Sequence, residues 1–569
     1  MPAPLPAELA KVDPADAWQP WAPSAAEPWD HRAVAHLFRR AAFGPSPADT
    51  ARALADGFPR TLDRLLVGEP DAAERLAMCE DAGRYLLDGS RIRLIPDFGN
   101  NNTPDPAVPV RAWWLYTILE GGHPLREKLA LFWHNHFATS YAKVGSIRLM
   151  FEQNRTLRRF ALGRFRPFLL EMSRDPAMLI WLDSNQNVKG APNENYAREV
   201  MELFSLGVGN YTEKDVQEAA RAFTGWHHSP DQTAFEFNRD LHDDGPKTLF
   251  GRAGNWGGDD VVRLLGDHPA CARFIIGKLY AFLVSETPPP RPLLAPLEDR
   301  FRRGEYDIAD LVKTILGSRL FFSAHAHRRR VKWPVEYAVG AVRAVAPDRV
   351  PLGDLIDPLA KMGQVLFAPP NVKGWRTGTD WLNSATLLAR NNFAETVAMG
   401  AWPRRSTRQP QNGPEAVTVK DAPVAEVVAI DLLAMPASAA LGAAAVYGSN
   451  VMTDPAGVDH LTVFSPIAPP GGAVGSPIPG APTAPMDPRL DPALTLFEPK
   501  PASVAEVVAR MGDALFGEPA PLAARRKIEA FLLDGKPSLT AAQLDTPAFK
   551  ARTRESLHAL MCLPEYQLN

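Results

Sequence analysis

Residues 181–207 read WLDSNQNVKGAPNENYAREVMELFSLG, and the fold class turns on how this stretch divides. Its middle, 183–193, is dense in Asn, Asp and Gly. These residues turn a chain because their short side chains bond the local backbone or because they tolerate left-handed conformations. Apolar residues at helical spacing enter the loop from RPFLLEMSRDPAMLIWL (166–182) and leave it through NYAREVMELFSL (195–206). Two amphipathic helices joined by a polar loop imply helix packed on helix.

The same pattern extends outward. Upstream, HRAVAHLFRRAAF (31–43) sets Val34, Leu37, Phe38 and Ala41 on one face, and Ser46 is placed to cap PADTARALADG (47–57). The stretches 59–68, 72–87, 108–122 and 123–144 continue it, the last with Leu125, Leu129, Phe132 and His136 near one face. Downstream, Thr212 heads a helix in YTEKDVQEAARAFTGW (211–226), and helical periodicity resumes over 259–284, 308–322, 331–345 and 384–399. One interruption reads differently: TAFEFNRDLH (233–242) alternates and KTLFGRAGNWGG (247–258) carries turn glycines, which predicts a small β-hairpin. The expected fold is therefore mainly α: a large multi-helix domain with one β-hairpin insertion and a Pro/Ala/Gly-rich irregular segment. The expected organisation is an extended arm over 1–28, a helical core over 29–402, a low-order insertion over 403–500, and C-terminal helices over 501–569 packing on the core.

Composition narrows the function classes. The 569 residues are 46% hydrophobic and 22% charged, enough to bury a core, and the net charge of −3 provides no basic field for nucleic acid. No stretch approaches the roughly 20 strongly apolar residues of a membrane span. The first residues lack a basic region followed by an apolar one, so the expectation is a cytoplasmic protein, or one exported already folded in company with a partner. The three cysteines form no CxxC, which removes zinc-ribbon, thioredoxin-type and c-type haem motifs.

Two sets of residues are candidates for chemistry. In the loop, Asp183, Asn185, Asn187 and Glu194 fall at positions 1, 3, 5 and 12, the ligand spacing of a calcium loop. Position 6, where the sharp turn calls for Gly, is Val188, and Asx-turns or helix caps account for the same oxygens. The second set is His136, Glu199, His242 and Asp243. Glu199 borders the apolar stripe of Tyr196, Val200, Leu203 and Phe204. His136 lies on a buried stripe, whereas His134, two residues earlier, points about 200° away on a regular helix. His242 with Asp243 stands at a strand end, where pocket mouths form. The pairs Glu194–Arg198 and Arg198–Glu202 are spaced i, i+4 as on a solvated helix face. These residues suggest a divalent metal ion, calcium or a transition metal, as the cofactor to look for. No HExxH, GxSxG or GxGxxG motif occurs.

The phrases HLFRRAAFGPSP, LALFWHNHFATS, WLDSNQNVKGAPNENYAREVMELFSLGVGNYTEKDVQEAARAFTGW, KWPVEYAVGAVRA and LFAPPNVKGWRTGTDWLNSATLLAR resemble, in that order, the bacterial domain-of-unknown-function family 1800 (DUF 1800) over about residues 30–400. The ending LMCLPEYQLN is similar to that of planctomycete-type members. The resemblance implies a largely helical bacterial protein, often encoded beside a protein of domain-of-unknown-function family 1501. That partner family looks alkaline-phosphatase- or sulfatase-like and commonly bears a twin-arginine export signal. Two functions are then expected: a binding or assembly partner of such a protein, or a metal-dependent hydrolase or oxidoreductase with its cleft at His136, Glu199 and His242.

Overall fold

Helices start where side chains supply the missing hydrogen-bond acceptors. In the computed structural model, which describes residues 9, 11–87, 107–345, 353–400 and 496–569, Asp30 caps the helix His31–Ala41 by accepting from Ala33 N. Ser46 and Asp49 form a capping box at Pro47–Asp56, as do Thr212 and Asp215 at Glu213–Ala222. Proline then occupies the first turn of several helices, where its missing N–H costs nothing.

At the centre lies the helix Pro124–His136, buried on nearly every face. It packs against His31–Ala41, Phe58–Val67, Ala107–Glu120 and Ile147–Phe160. Trp113, Trp114 and Trp133 are wholly enclosed there, and each large apolar side chain so buried contributes about 1.5–3 kcal/mol relative to exposure. No helix of the described residues is long and apolar enough to cross a membrane, and all three cysteines are unpaired thiols.

The described residues on both flanks of this core join it. In the stretch read as an arm, Trp18 donates from its indole nitrogen to Leu293 O at 2.6 Å, and Trp21 N donates to Gly317 O at 2.8 Å. The Trp21 ring stacks on Phe322 with centroids 4.0 Å apart. At the other end, the helix Val504–Phe516 packs on His31–Ala41 and Pro334–Val345, and Pro547–Met561 lies against Ser384–Met399. Gly517, in the left-handed region at φ 68°, lies so close to the first of these that a Cβ would come 2.1 Å from Ala35 Cβ. The Pro/Ala/Gly-rich block expected over 403–500 lies outside the described residues up to 495.

The β structure corrects the expectation of a single hairpin. Among the described residues there are two separate antiparallel pairs: β1 (Trp226–His228) with β2 (Phe235–Phe237), and β3 (Lys247–Leu249) with β4 (Arg252–Gly254). Alternation in 233–242 does not continue as strand because Asn238 caps a 3₁₀ turn at Arg239–Leu241. The expected helix through Trp226 stops at Ala222, and Gly225 turns the chain at φ 81°, with a Cβ position only 2.4 Å from Asn238 O. In the second pair, Phe250 and Gly251 make a two-residue turn with both φ positive, the geometry that matches strand twist. Phe250 tolerates it with its N–H held by Asp215 Oδ1 at 2.7 Å.

A second correction concerns NYAREVMELFS. It is α-helical only over Asn195–Glu199 and becomes a π-helix over Val200–Ser205. Ser205 Oγ donates to Val200 O at 2.5 Å, and Leu206 N to Met201 O at 2.9 Å, both five residues back. The wider turn changes which side chains share a face. Arg198 pairs with Glu194 and Glu213, while Glu202, expected to pair with Arg198, accepts from Tyr211 OH at 2.8 Å.

Candidate functional site

The polar loop is closed by its own hydrogen bonds. Asp183 adopts φ 56° and accepts from Lys143 Nζ at 2.8 Å and from Asn195 Nδ2 at 3.4 Å. Asn185 bonds the imidazole of His228 and accepts from the His228 backbone N–H. Asn187 is buried, with Nδ2 donating to Ala220 O and Oδ1 accepting from Asn193 N, both at 2.9 Å. Glu194 accepts from Arg198 at 2.9 Å. The four residues with calcium-loop spacing thus serve six different partners, and Gly190 rather than Val188 takes the positive φ, at 86°.

Loop and β block are tied together. Lys189 N donates to Leu241 O at 2.8 Å, and Gly225 N to Asn187 O at 3.1 Å. His242 is buried: its Nδ1 meets Thr224 O at 2.8 Å and its ring packs on Phe237. Arg221 grips Asp243 with two nitrogens, at 2.8 and 3.2 Å, and holds that carboxyl down at about 2. His242 and Asp243 therefore lock the block to the helix Glu213–Ala222.

The other candidates lie along the π-helix. His134 and His136 are both buried, where only His136 was expected to be, because the helix end is wrapped on both sides. His134 sits among Trp114, Phe367 and Trp375, and burial lowers it to about 3. His136 Nε2 is 3.1 Å from Phe204 O, and its Nδ1 is 3.2 Å from Lys278 Nζ, which also donates to Leu203 O. The Nε2–H tautomer satisfies all three contacts, with Lys278 donating to Nδ1. Burial and the Lys278 charge hold His136 well below the usual imidazole range, while burial brings Lys278 to about 8. Both carbonyls belong to the π-helical segment. Glu199 is half-buried, raised first by burial and then by Glu202, with Lys373 opposing. Neither these candidates nor any other His, Cys, Asp and Glu side chains among the described residues gather three or more where one metal ion could be held.

What the fold does bring together is an open cleft of about 460 Å³ on the β block, lined by His227, His228, Glu236, Phe237, Arg239 and Asp240 among others. The register sets His227 opposite Glu236. His227 Nε2 is buried without a hydrogen-bond partner, and burial together with neighbouring His228 lowers its pKa. Phe237 is 47% exposed. Imidazole, carboxylate, guanidinium and an exposed ring in one cleft suit a mixed polar and aromatic contact more than covalent chemistry. The sequence signal was the pair of histidines ahead of an alternating stretch. It is obscured while Trp226 is read as the end of a helix.

Comparison with known proteins gives one positive finding. A family model described as a protein of unknown function, DUF1800, matches residues 36–568, well past the 30–400 that the sequence phrases span. No curated protein and no solved structure shows a significant match.

Proposed function

This chain belongs to the DUF1800 family, and from that premise we propose that it is a helical binding and assembly protein whose docking face is the β block at 226–254. The observation that carries the reading is the cleft there, where an unpartnered His227 Nε2 and a half-exposed Phe237 stand beside Glu236, Arg239 and Asp240. A protein surface keeps such an aromatic ring in water at a cost, and burial against a partner recovers it. The partner is an alkaline-phosphatase- or sulfatase-like protein of family 1501, the choice that the family resemblance implies. Pairing with a partner bearing a twin-arginine leader would carry this chain out of the cytoplasm already folded.

Co-expression with such a partner, affinity capture and cell fractionation test the reading. Co-purification that Phe237→Asp weakens tenfold or more supports it. Failure of the unaltered chain to co-purify, or partner-independent location, overturns it.

One observation favours a second reading, an enzyme. Glu199 is a half-buried carboxyl with a raised pKa beside Lys373, the setting of a general acid or base. A metal-dependent hydrolase or oxidoreductase built on it requires bound metal. Elemental analysis of untagged protein showing less than one equivalent, with no effect of chelator, removes that version.

A further inference from the structure

Six cationic side chains are buried together where the helix Pro334–Val345 begins: Arg39, Arg40, Lys128, Arg330, Lys332 and Arg390. The carboxylate that five of them, all but Arg39, face is Glu336, also buried. Its Oε1 takes Lys128 and Arg330, and its Oε2 takes Trp333 N at 2.7 Å and Asn569 Nδ2 at 3.0 Å. A carboxylate offers about four acceptor positions, so Glu336 has none left. Glu286, half-buried and nearby, accepts from Val331 N and Gly378 N. Burial brings Lys128 down to about 7 and, with the neighbouring arginines, holds Lys332 well below the usual lysine range, so the fixed positive charge of the cluster rests on its arginines.

The remaining donors point to what is needed. Arg40 uses Nη2 on Ala326 O at 2.6 Å and on the main-chain oxygen of Asn569 at 3.0 Å, while its Nε and Nη1 are buried with no partner. Arg330 uses Nη2 on Glu336, and its Nε and Nη1 are likewise buried and unpaired. Tyr280 OH is a fifth such donor. Asn569 bridges the two arginines: its oxygen accepts from Arg40 and its N–H donates to Arg330 O at 2.7 Å. Unpaired donors on neighbouring buried cations are costly, because both the hydrogen-bonding and the charge need a counterpart.

We infer that Arg40, Arg330 and Tyr280 form a buried site for a small inorganic anion of the halide class, held as a structural counter-ion in the core. A halide has the charge and the isotropic acceptor capacity that several neighbouring buried, unpaired N–H and O–H groups require, and it needs little room. In keeping with this, burial and the Arg330 charge push Arg40 down to about 9, a strain that a counter-ion relieves. The site shares no residue with the β-block cleft, so it stands or falls separately from the binding role.

Bromide is the probe. Crystals of the full chain grown in bromide should show an anomalous peak within about 3.5 Å of the unpaired nitrogens of Arg40 and Arg330. The melting temperature of the full chain should rise by about 1 °C per tenfold increase in chloride over gluconate at constant ionic strength. Arg40→Met should flatten that slope. If this variant does not fold, Tyr280→Phe, which deletes one donor and keeps the ring, should reduce the slope. Absence of a bromide peak there, with water alone in the density, overturns the inference whatever the melting series shows. So does a chloride slope unchanged in every variant that folds.

Discussion

Two buried carboxyl groups carry opposite consequences for stability. Asp175 caps Pro176–Trp181 through Met178 N at 3.0 Å and takes Gln153 Nε2 at 2.7 Å, yet burial raises it to about 7. A folded value above the ordinary 3.8 means the native state holds the proton more tightly. The stabilisation is therefore whole below the unfolded value and is lost as pH rises through 7. Asp175→Asn keeps the cap and removes the titration, so its advantage over the unaltered chain should grow by on the order of 1–2 kcal/mol between pH 5 and 8. Urea unfolding at each pH checks this; a difference constant with pH contradicts it. Glu336 is held ionised, below the usual carboxylate range, by Arg330 and Lys128 against the burial that opposes it. Glu336→Gln leaves those cations without their counter-charge and should cost about 3–5 kcal/mol, read as a lower urea midpoint. A change under about 1 kcal/mol would show that the cluster repairs itself. Neither group announces itself in the sequence: Asp175 reads there as an ordinary cap before Pro, and Glu336 as a first-turn acid.

The loop at 183–194 and the β block behave as one joint. Asn187 fastens it from inside, since one amide serves both Ala220 O and Asn193 N. Asn187→Ala leaves a buried carbonyl and N–H unpaired and should lower stability by about 2–4 kcal/mol; equilibrium unfolding measures it. Metal removal bears on the same element. Each residue of the calcium-like set already bonds a protein partner, so neither chelator nor added calcium should move the melting temperature. A calcium-dependent rise that Asp183→Ala abolishes would reinstate an ion in the loop. Spacing in the sequence identified the loop as the hub, but spacing alone does not distinguish a ligand from an Asx-turn. In the fold, Lys143, His228 and Ala220 bond these residues from 40, 43 and 33 residues away. The π-helix is hidden for the same reason: its first residues have ordinary helical periodicity, and the wider turn accompanies carbonyls turned to His136 and Lys278.

Across the whole molecule, distant ends share one core. Arg39 donates to Leu515 O at 3.0 Å and Arg390 to Gln567 Oε1 at 3.1 Å, so the C-terminal helices hold groups that the first and central helices bury. The chain should accordingly show one calorimetric unfolding transition, with the region after 496 melting together with residues 11–400; two resolved transitions would separate them. The sequence by itself determined the helical class, the main caps, the buried stripes and the family. Those properties depend on periods of a few residues and on local backbone chemistry. It also marked the Asn-rich loop as a hub and His242 with Asp243 as a pair at a strand end. Only the tertiary structure decided that His136 serves Phe204 and Lys278, that two hairpins replace one, and that five basic side chains face Glu336. Each of these rests on which long-range neighbour satisfies a buried polar group, and no local pattern encodes that neighbour.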